Sequence, residues 1–170
     1  MRKVLREVQP PVPVRDDGVV AAPGADRTSP LPAASPVPEA PVRAGPGVLH
    51  VEAETFADMS GVRVFDCFTG GKQVNFQKNI QSSWVDYKID VPAAGGYGLT
   101  MRLATPNREQ VLDLHCGPAK LATLPVPNTT GLWGTTKEVS VQLTKGVQTL
   151  RFSAPYQRGI AVRWFELRPK

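Results

Sequence analysis

Two glutamates, Glu52 and Glu54, are the residues whose spacing most directly suggests chemistry. They alternate in the run VLHVEAETF, so a strand would place both carboxylates on one side, about 7 Å apart. Two carboxyl groups at about 5 to 10 Å can hydrolyse a glycosidic bond, and carboxylate oxygens also bind calcium. However, both lie on one predicted strand, and the sequence identifies no carboxylate across a cleft. We therefore predict no catalytic residues and no enzyme activity in this chain.

Other catalytic and metal-binding patterns are missing from the sequence. It has no GxSxG or HExxH motif and no phosphate-binding glycine motif. Cys67 and Cys116 are compatible with one disulfide or with buried thiols, and His50 and His115 are too far apart in sequence to form a zinc motif. The net charge is +5, but the basic residues are scattered singly, which is typical of a solvated surface. We expect no nucleic-acid partner.

The first part of the chain is rich in proline and alanine. Most of the 17 prolines precede Gly47, and the intervening residues show neither helical nor strand periodicity. Because proline lacks a backbone donor and fixes φ, such a run favours extended, solvated chain. We predict that residues 1–47 are a linker or the tail of a preceding domain. No apolar run approaches the roughly 18 residues of a membrane span, so we expect a soluble protein whose export signal, if it has one, lies outside this chain.

The pattern changes at Val48 to short runs of alternating apolar and polar residues. In SWVDYKIDV, for example, Val, Tyr and Ile occupy one face and Asp and Lys the other, as a half-solvated antiparallel strand requires. AAGG, TKG and CGP separate the runs with residues that favour chain reversal. Roughly eight or nine such strands predict an all-β fold, an antiparallel β-sandwich of the jelly-roll type, over residues 48–170.

Several landmarks follow one another in order along this second part: VEAETF, QVNF, WVDYKIDVPAAGGY, PNTTGLWGTT, VQTLRF and GIAVRWFEL. Together they resemble carbohydrate-binding modules of family 6 and the related family 35. The resemblance implies a non-catalytic module that binds an oligo- or polysaccharide. It also implies a monomer, attached to the catalytic domain of a polysaccharide-degrading enzyme such as a glycoside hydrolase, in an extracellular or cell-surface setting.

In these modules two aromatic side chains hold the faces of a sugar ring, and an asparagine binds its hydroxyls. By position, Phe76 and Trp133 are the aromatic residues, whereas Ala161 stands where the asparagine would be. An alanine neither donates nor accepts a side-chain hydrogen bond. Other polar residues near the same loops are therefore predicted to contact the ligand: Asn75, Asn79 and Arg158.

Each aromatic residue also has a purely structural interpretation. Phe76 fits equally well as the apolar member of the strand QVNFQ. Trp84 and Trp164 lie inside alternating runs, which favours packing. Trp133 lies in the glycine-rich loop TTGLWGTT, and loops are where binding residues concentrate. The alternative for the whole module is a β-sandwich that has lost sugar binding and only packs on a catalytic domain.

The resemblance also implies a structural calcium ion at Glu52 and Glu54, assisted by an acidic or amide side chain from the last strand. The matching position in this sequence is Arg163. Calcium requires six to eight oxygen ligands, and an arginine among them repels the ion. We therefore predict that Arg163 pairs with Glu52 or Glu54 and replaces the calcium. No other cofactor is expected.

Overall fold

The computed structural model describes residues 42–43, 47–77, 83–155 and 159–170. In these ranges every regular element is a strand, which confirms the predicted all-β class. No helix in the described ranges has the length and hydrophobicity needed to span a bilayer. Most of the predicted linker lies outside the described residues. Within it, Val42 and Arg43 form a short strand that pairs with the sandwich, so strand pairing begins before Val48.

Thirteen strands follow one another in the described residues. They are β1 (Val42–Arg43), β2 (Leu49–Glu52), β3 (Asp58–Ser60), β4 (Val62–Asp66), β5 (Lys72–Phe76), β6 (Ser83–Val91), β7 (Gly95–Ala104), β8 (Gln110–Cys116), β9 (Ala119–Val126), β10 (Gly134–Thr135), β11 (Val139–Leu143), β12 (Gly146–Ala154) and β13 (Ile160–Pro169).

The strands form two sheets. Sheet A has the order β1-β6-β12-β8-β9, with β3 also paired with β6. Sheet B has the order β10-β7-β13-β5-β4, with β11 also on β7 and β2 also on β13. The pairs are antiparallel, except that β1 runs parallel to β6. This arrangement confirms the predicted sandwich.

Four strands were not predicted: the short strands β1, β3 and β10, and the eight-residue strand β9. The β9 segment AKLATLPV contains Pro125, which cannot donate to a sheet ladder. The structure accommodates this residue because β9 lies at the edge of sheet A, where an unpaired backbone position is tolerated. The preceding CGP segment does form the expected turn, with Gly117 at a φ of 56°.

Three aromatic rings join the two sheets at the centre of the core. Tyr87 and Phe152 extend from sheet A and Phe165 from sheet B, with ring centroids 4.9 to 6.0 Å apart in edge-to-face geometry. All three are at most 3% exposed. The Tyr87 hydroxyl donates a 2.9 Å hydrogen bond to the Ala53 carbonyl oxygen. Burial raises the pKa of Tyr87, which favours the protonated hydroxyl that donates this bond.

Phe165→Ala should lower the free energy of unfolding by about 3 to 5 kcal/mol, because it leaves a cavity where both sheets meet. Phe68 is a matched control, since it is also a phenylalanine but is 90% exposed; Phe68→Ala should change stability by less than about 0.5 kcal/mol. Urea denaturation with comparable m-values measures both. Equal costs for the two substitutions would contradict the assignment of the core.

Candidate functional site

A cavity of about 430 Å³ opens at one end of the three central strands of sheet B. It is formed where β5 and β7 end and β13 begins. Ala161 on β13 pairs with Ala104 on β7 and with Asn75 on β5. Strand alternation turns these three side chains away from the core, and two of them are only methyl groups. The lining residues are Asn75, Phe76, Gln77, Ala104, Gly159, Ile160 and Ala161.

Asn75 lines the cavity and carries an unpaired polar atom. Its Oδ1 is buried and has no hydrogen-bond partner within the described residues. A buried acceptor without a donor costs about 1 to 3 kcal/mol, so such atoms are uncommon in folded proteins. The amide group lies one strand away from Ala161, the position where the family places its asparagine.

The ring of Phe76 is not available to a ligand in this structure. Phe76 is 2% exposed and belongs to the hydrophobic core, while its chain neighbour Asn75 turns outward. Phe76 pairs with Ile160 on one side and Val62 on the other, so its ring points inward. This burial favours the alternative interpretation of Phe76, an apolar residue of the strand, over a stacking contact with a sugar. The other predicted contacts, Asn79 and Arg158, lie outside the described residues.

Trp133 is not among the lining residues, but the strand register brings it next to one of them. Its neighbour Gly134 starts β10 and pairs with Leu103. Extending this register by one residue places Trp133 opposite Ala104, which lines the cavity. The tryptophan is half-buried, so part of its surface remains open to solvent.

Threonine hydroxyls hold the Trp133 loop against the end of β7. Thr129 Oγ1 accepts a 2.8 Å hydrogen bond from the Thr105 backbone N–H, and the Thr129 N–H donates to the Thr105 carbonyl at 3.0 Å. The Thr105 hydroxyl donates to the Gly159 carbonyl at 2.8 Å and accepts from Gln110 Nε2 at 2.6 Å. Thr105 therefore connects the end of β7, the Trp133 loop and the start of β13, which are three sides of the site.

The loop itself is fixed by local bonds. Asn128 Oδ1 accepts a 2.7 Å hydrogen bond from the Thr130 N–H, and Asn128 Nδ2 donates to the Pro106 carbonyl at 3.0 Å. Thr130 has a φ of 53°, a left-handed conformation that is uncommon for a β-branched residue. Such strain persists where surrounding contacts determine it and is frequent at ligand sites. A loop ordered before binding reduces the entropic cost of holding a ligand.

The other two tryptophans make packing contacts, as predicted, but on the outer faces of the sheets. The Arg151 guanidinium lies 3.7 Å from the ring centroid of Trp84 and forms two hydrogen bonds with Asp86, at 2.7 and 2.8 Å. By accepting these bonds, Asp86 raises the pKa of Arg151. Trp164 packs against His50, with ring centroids 5.0 Å apart.

The two glutamates do not share one strand. β2 ends at Glu52, and the Thr55 N–H donates to the Glu52 carbonyl at 3.0 Å, which places Glu54 in the following turn. The prediction that the two carboxylates alternate along one strand is therefore wrong. No cluster of three or more histidine, cysteine or acidic residues that could hold a metal occurs in the described part. Cys67 and Cys116 are both free thiols.

Jelly-roll β-sandwiches of this kind occur in lectins and other sugar-binding domains. The sequence profile of the carbohydrate binding module (family 6) matches residues 52–169. The chain therefore belongs to carbohydrate-binding module family 6, whose domains are non-catalytic. The predicted resemblance is confirmed.

Solved structures of the same architecture cover most of the chain. The C-terminal family 6 module of the marine laminarinase LamC from Zobellia galactanivorans is 25% identical, with a TM-score of 0.64 over 71% of this chain and 98% of that one. The module CBM6cm-2 of Cellvibrio mixtus lichenase 5A, solved with cellotriose, is 23% identical, with a TM-score of 0.62 over 71% and 96%. A family 35 module from Clostridium thermocellum has a TM-score of 0.64 at 15% identity over 72% and 98%.

One curated relative is a much longer protein. The alpha subunit of clotting factor G from Tachypleus tridentatus is 33% identical over 84 residues, which are 48% of this chain and 12% of that protein. The chain thus corresponds to a small part of this relative.

Thr105→Val should loosen the site, because valine has nearly the same shape but leaves the Gln110 amide and the Gly159 carbonyl without their partner. We expect a loss of about 1 to 3 kcal/mol in the free energy of unfolding. Thr149→Val, at an exposed position on β12, is the control and should cost less than about 0.5 kcal/mol. Chemical denaturation measures both variants, and a neutral Thr105→Val would show that this hydroxyl does not organise the site.

Proposed function

We propose that this module binds an oligo- or polysaccharide in the cavity between β5, β7 and β13. The observation that carries the proposal is the cavity next to the Trp133 loop, with the Asn75 amide among its lining residues. A pyranose ring offers both complementary features. Its C–H faces pack on an indole, and the hydroxyls at its rim replace water at a polar atom.

The polar contact of the family's site is proposed to have moved by one strand. Ala161 has no side-chain hydrogen-bonding group, but its cross-strand partner Asn75 carries the missing amide. Directly opposed residues in a sheet have Cβ atoms about 4.5 to 5.5 Å apart. A sugar shifted by that distance can therefore meet an amide from β5 in place of one from β13.

The aromatic part of the site is reduced to Trp133. With Phe76 in the core, a single ring is left to pack on the sugar. One stacking contact and a few hydrogen bonds give weak binding for each site. Weak binding is sufficient for a tethered module, since linking a binder to an enzyme raises the effective concentration of enzyme at its substrate.

The proposed role also concerns the larger protein to which the module is attached. We propose that the module belongs to a larger extracellular protein and holds the catalytic domain of a polysaccharide-degrading enzyme near its substrate. The predicted proline- and alanine-rich segment would be the spacer. The carbohydrate itself is the ligand, and no cofactor takes part.

Trp133→Ala should weaken binding about 10-fold or more, because truncating a central aromatic contact removes at least about 1.4 kcal/mol. Affinity electrophoresis in laminarin, lichenan and xylan, followed by calorimetry with the retarding glycan, measures the loss. Phe68→Ala is the control: Phe68 is also an exposed aromatic residue, but it lies in the turn at the opposite end of the β4–β5 hairpin. The proposed site would be rejected if Trp133→Ala bound the glycan as the unmodified module does while Phe68→Ala bound it more weakly.

Asn75 and Ala161 give a second, reciprocal test. Asn75→Ala should weaken binding about 2- to 10-fold, the usual value of one hydrogen bond. Ala161→Asn should strengthen binding, or restore it in Asn75→Ala, because an amide at 161 faces the same cavity. Calorimetry with the retarding glycan follows both variants. An Asn75→Ala variant that binds like the parent would show that this amide does not contact the sugar.

A second candidate function is a structural β-sandwich that packs on a catalytic domain without binding sugar. Two observations favour it: the Phe76 ring is buried, and alanine occupies position 161. This function predicts no retardation in any of the glycans above. It also predicts that the module stabilises the parent enzyme, so that deleting it lowers the melting temperature of the catalytic domain.

A further inference from the structure

Arg163 occupies an irregular position on β13. The register between β13 and β7 shifts between Val162 and Trp164, which makes Arg163 the extra residue of a β-bulge. The core-facing residues on either side are Val162 and Phe165, so two successive residues, Arg163 and Trp164, lie off the core. The Arg163 carbonyl accepts a 3.0 Å hydrogen bond from the Ala53 N–H, which anchors the bulge to the turn after β2.

The guanidinium of Arg163 connects three chain segments. Its Nη1 lies 2.5 Å from Glu52 Oε2 at the end of β2 and donates to the Lys72 carbonyl at 3.0 Å, at the start of β5. The same group lies against Gly71, where a Cβ atom would collide with it. The Arg163 side chain is 19% exposed and that of Glu52 is 37% exposed. The arginine therefore fills the space between β2 and the β4–β5 turn.

The family places a calcium ion beside the residues that match Glu52 and Glu54, and the residues of this chain do not fit that ion. A calcium ion needs six to eight oxygen ligands. Here a cationic guanidinium already takes the Glu52 carboxylate and the Lys72 carbonyl, which are oxygens of the types that bind calcium. A second cation in the same space would meet repulsion from Arg163, and the described residues contain no cluster of three acidic or histidine ligands.

We propose that Arg163 is an internal cation that performs the structural task of the calcium ion. It joins β2, β13 and the β4–β5 turn through one carboxylate and one carbonyl oxygen. Because the charge is covalently attached, the fold is independent of the calcium concentration, whereas a calcium-bound module loses stability when the free ion falls below its dissociation constant. This inference concerns stability and is separate from the sugar site.

The first measurement is the melting temperature of the unmodified module in 5 mM EDTA and in 5 mM calcium chloride, at constant ionic strength. We expect the two values to agree within about 1 °C, because a ligand that does not bind the native state does not stabilise it. A rise of several degrees in calcium would overturn the proposal. Equal concentrations of magnesium chloride control for general effects of a divalent salt.

The second measurement tests whether Arg163 stabilises the fold in place of a calcium ion. Arg163→Met keeps the aliphatic stem but removes the charge. Glu52 Oε2 then loses its guanidinium partner, and only the His50 contact at Glu52 Oε1 remains. The substitution should lower the melting temperature by about 4 to 10 °C. Arg168→Met is the matched control on the same strand. The Arg168 side chain is 63% exposed and its nearest acidic oxygen, Glu166 Oε2, is 3.9 Å away, so we expect a shift below about 2 °C.

A double-mutant cycle with Glu52→Gln identifies the partner. If Arg163 and Glu52 act as a pair, the double variant should lose clearly less than the sum of the two single losses. Arg163→Lys, which keeps the charge without the planar fork, should recover part of the loss. Additive effects, or an Arg163→Met variant as stable as the parent, would overturn the proposal. If Arg163→Met does not fold, the cycle is carried out with Arg163→Lys, and the same additivity criterion decides.

Discussion

The pairing of β13 with its neighbours is the interaction on which the rest of this structure depends. This one strand hydrogen-bonds β7 on one side and β5 and β2 on the other. Its residues take part in three of the features described above. Phe165 completes the central aromatic cluster, Ala161 lines the cavity, and Arg163 carries the internal cation. Core, cavity and ion pair are therefore set by a single ladder of backbone hydrogen bonds.

The bulge in β13 lies between two parts of the strand whose outward residues have different surroundings. Before the bulge, Ile160 and Val162 face the core and Ala161 faces the cavity. After it, Phe165 and Leu167 face the core, so the extra residue keeps the apolar alternation in phase with the sheet. Without the bulge, one of the two ends would direct its polar residues inward. The inserted residue thus lets both ends of β13 bury their apolar side chains while Ala161 still faces the cavity.

The cavity shows how a family site can change while the fold stays the same. The sandwich buries its core through residues on one face of each strand, and the outward residues are free to vary. At the loop end of the central strands of sheet B, this freedom has placed alanine at 161 and an amide with an unpaired Oδ1 at Asn75. The fixed parts are the backbone bonds of Thr105 and Thr129, which hold the Trp133 loop beside the cavity. Specificity in such a site depends on a few outward side chains, whereas its position depends on the backbone.

The sequence by itself determined most of the strands and the class of fold, because alternation of apolar residues and turn glycines act locally and can be read along the chain. It also predicted that Trp133 lies in a loop and that Arg163 pairs with a glutamate at the end of β2. It did not decide that the Phe76 ring lies in the core while Asn75 faces the cavity. Either face of a five-residue strand is a possible core face until its partners are known. The tertiary structure made that choice, and it also placed Glu54 in a turn and Asn75 beside Ala161. These relations join residues far apart in sequence, and only the pairing of strands brings them together.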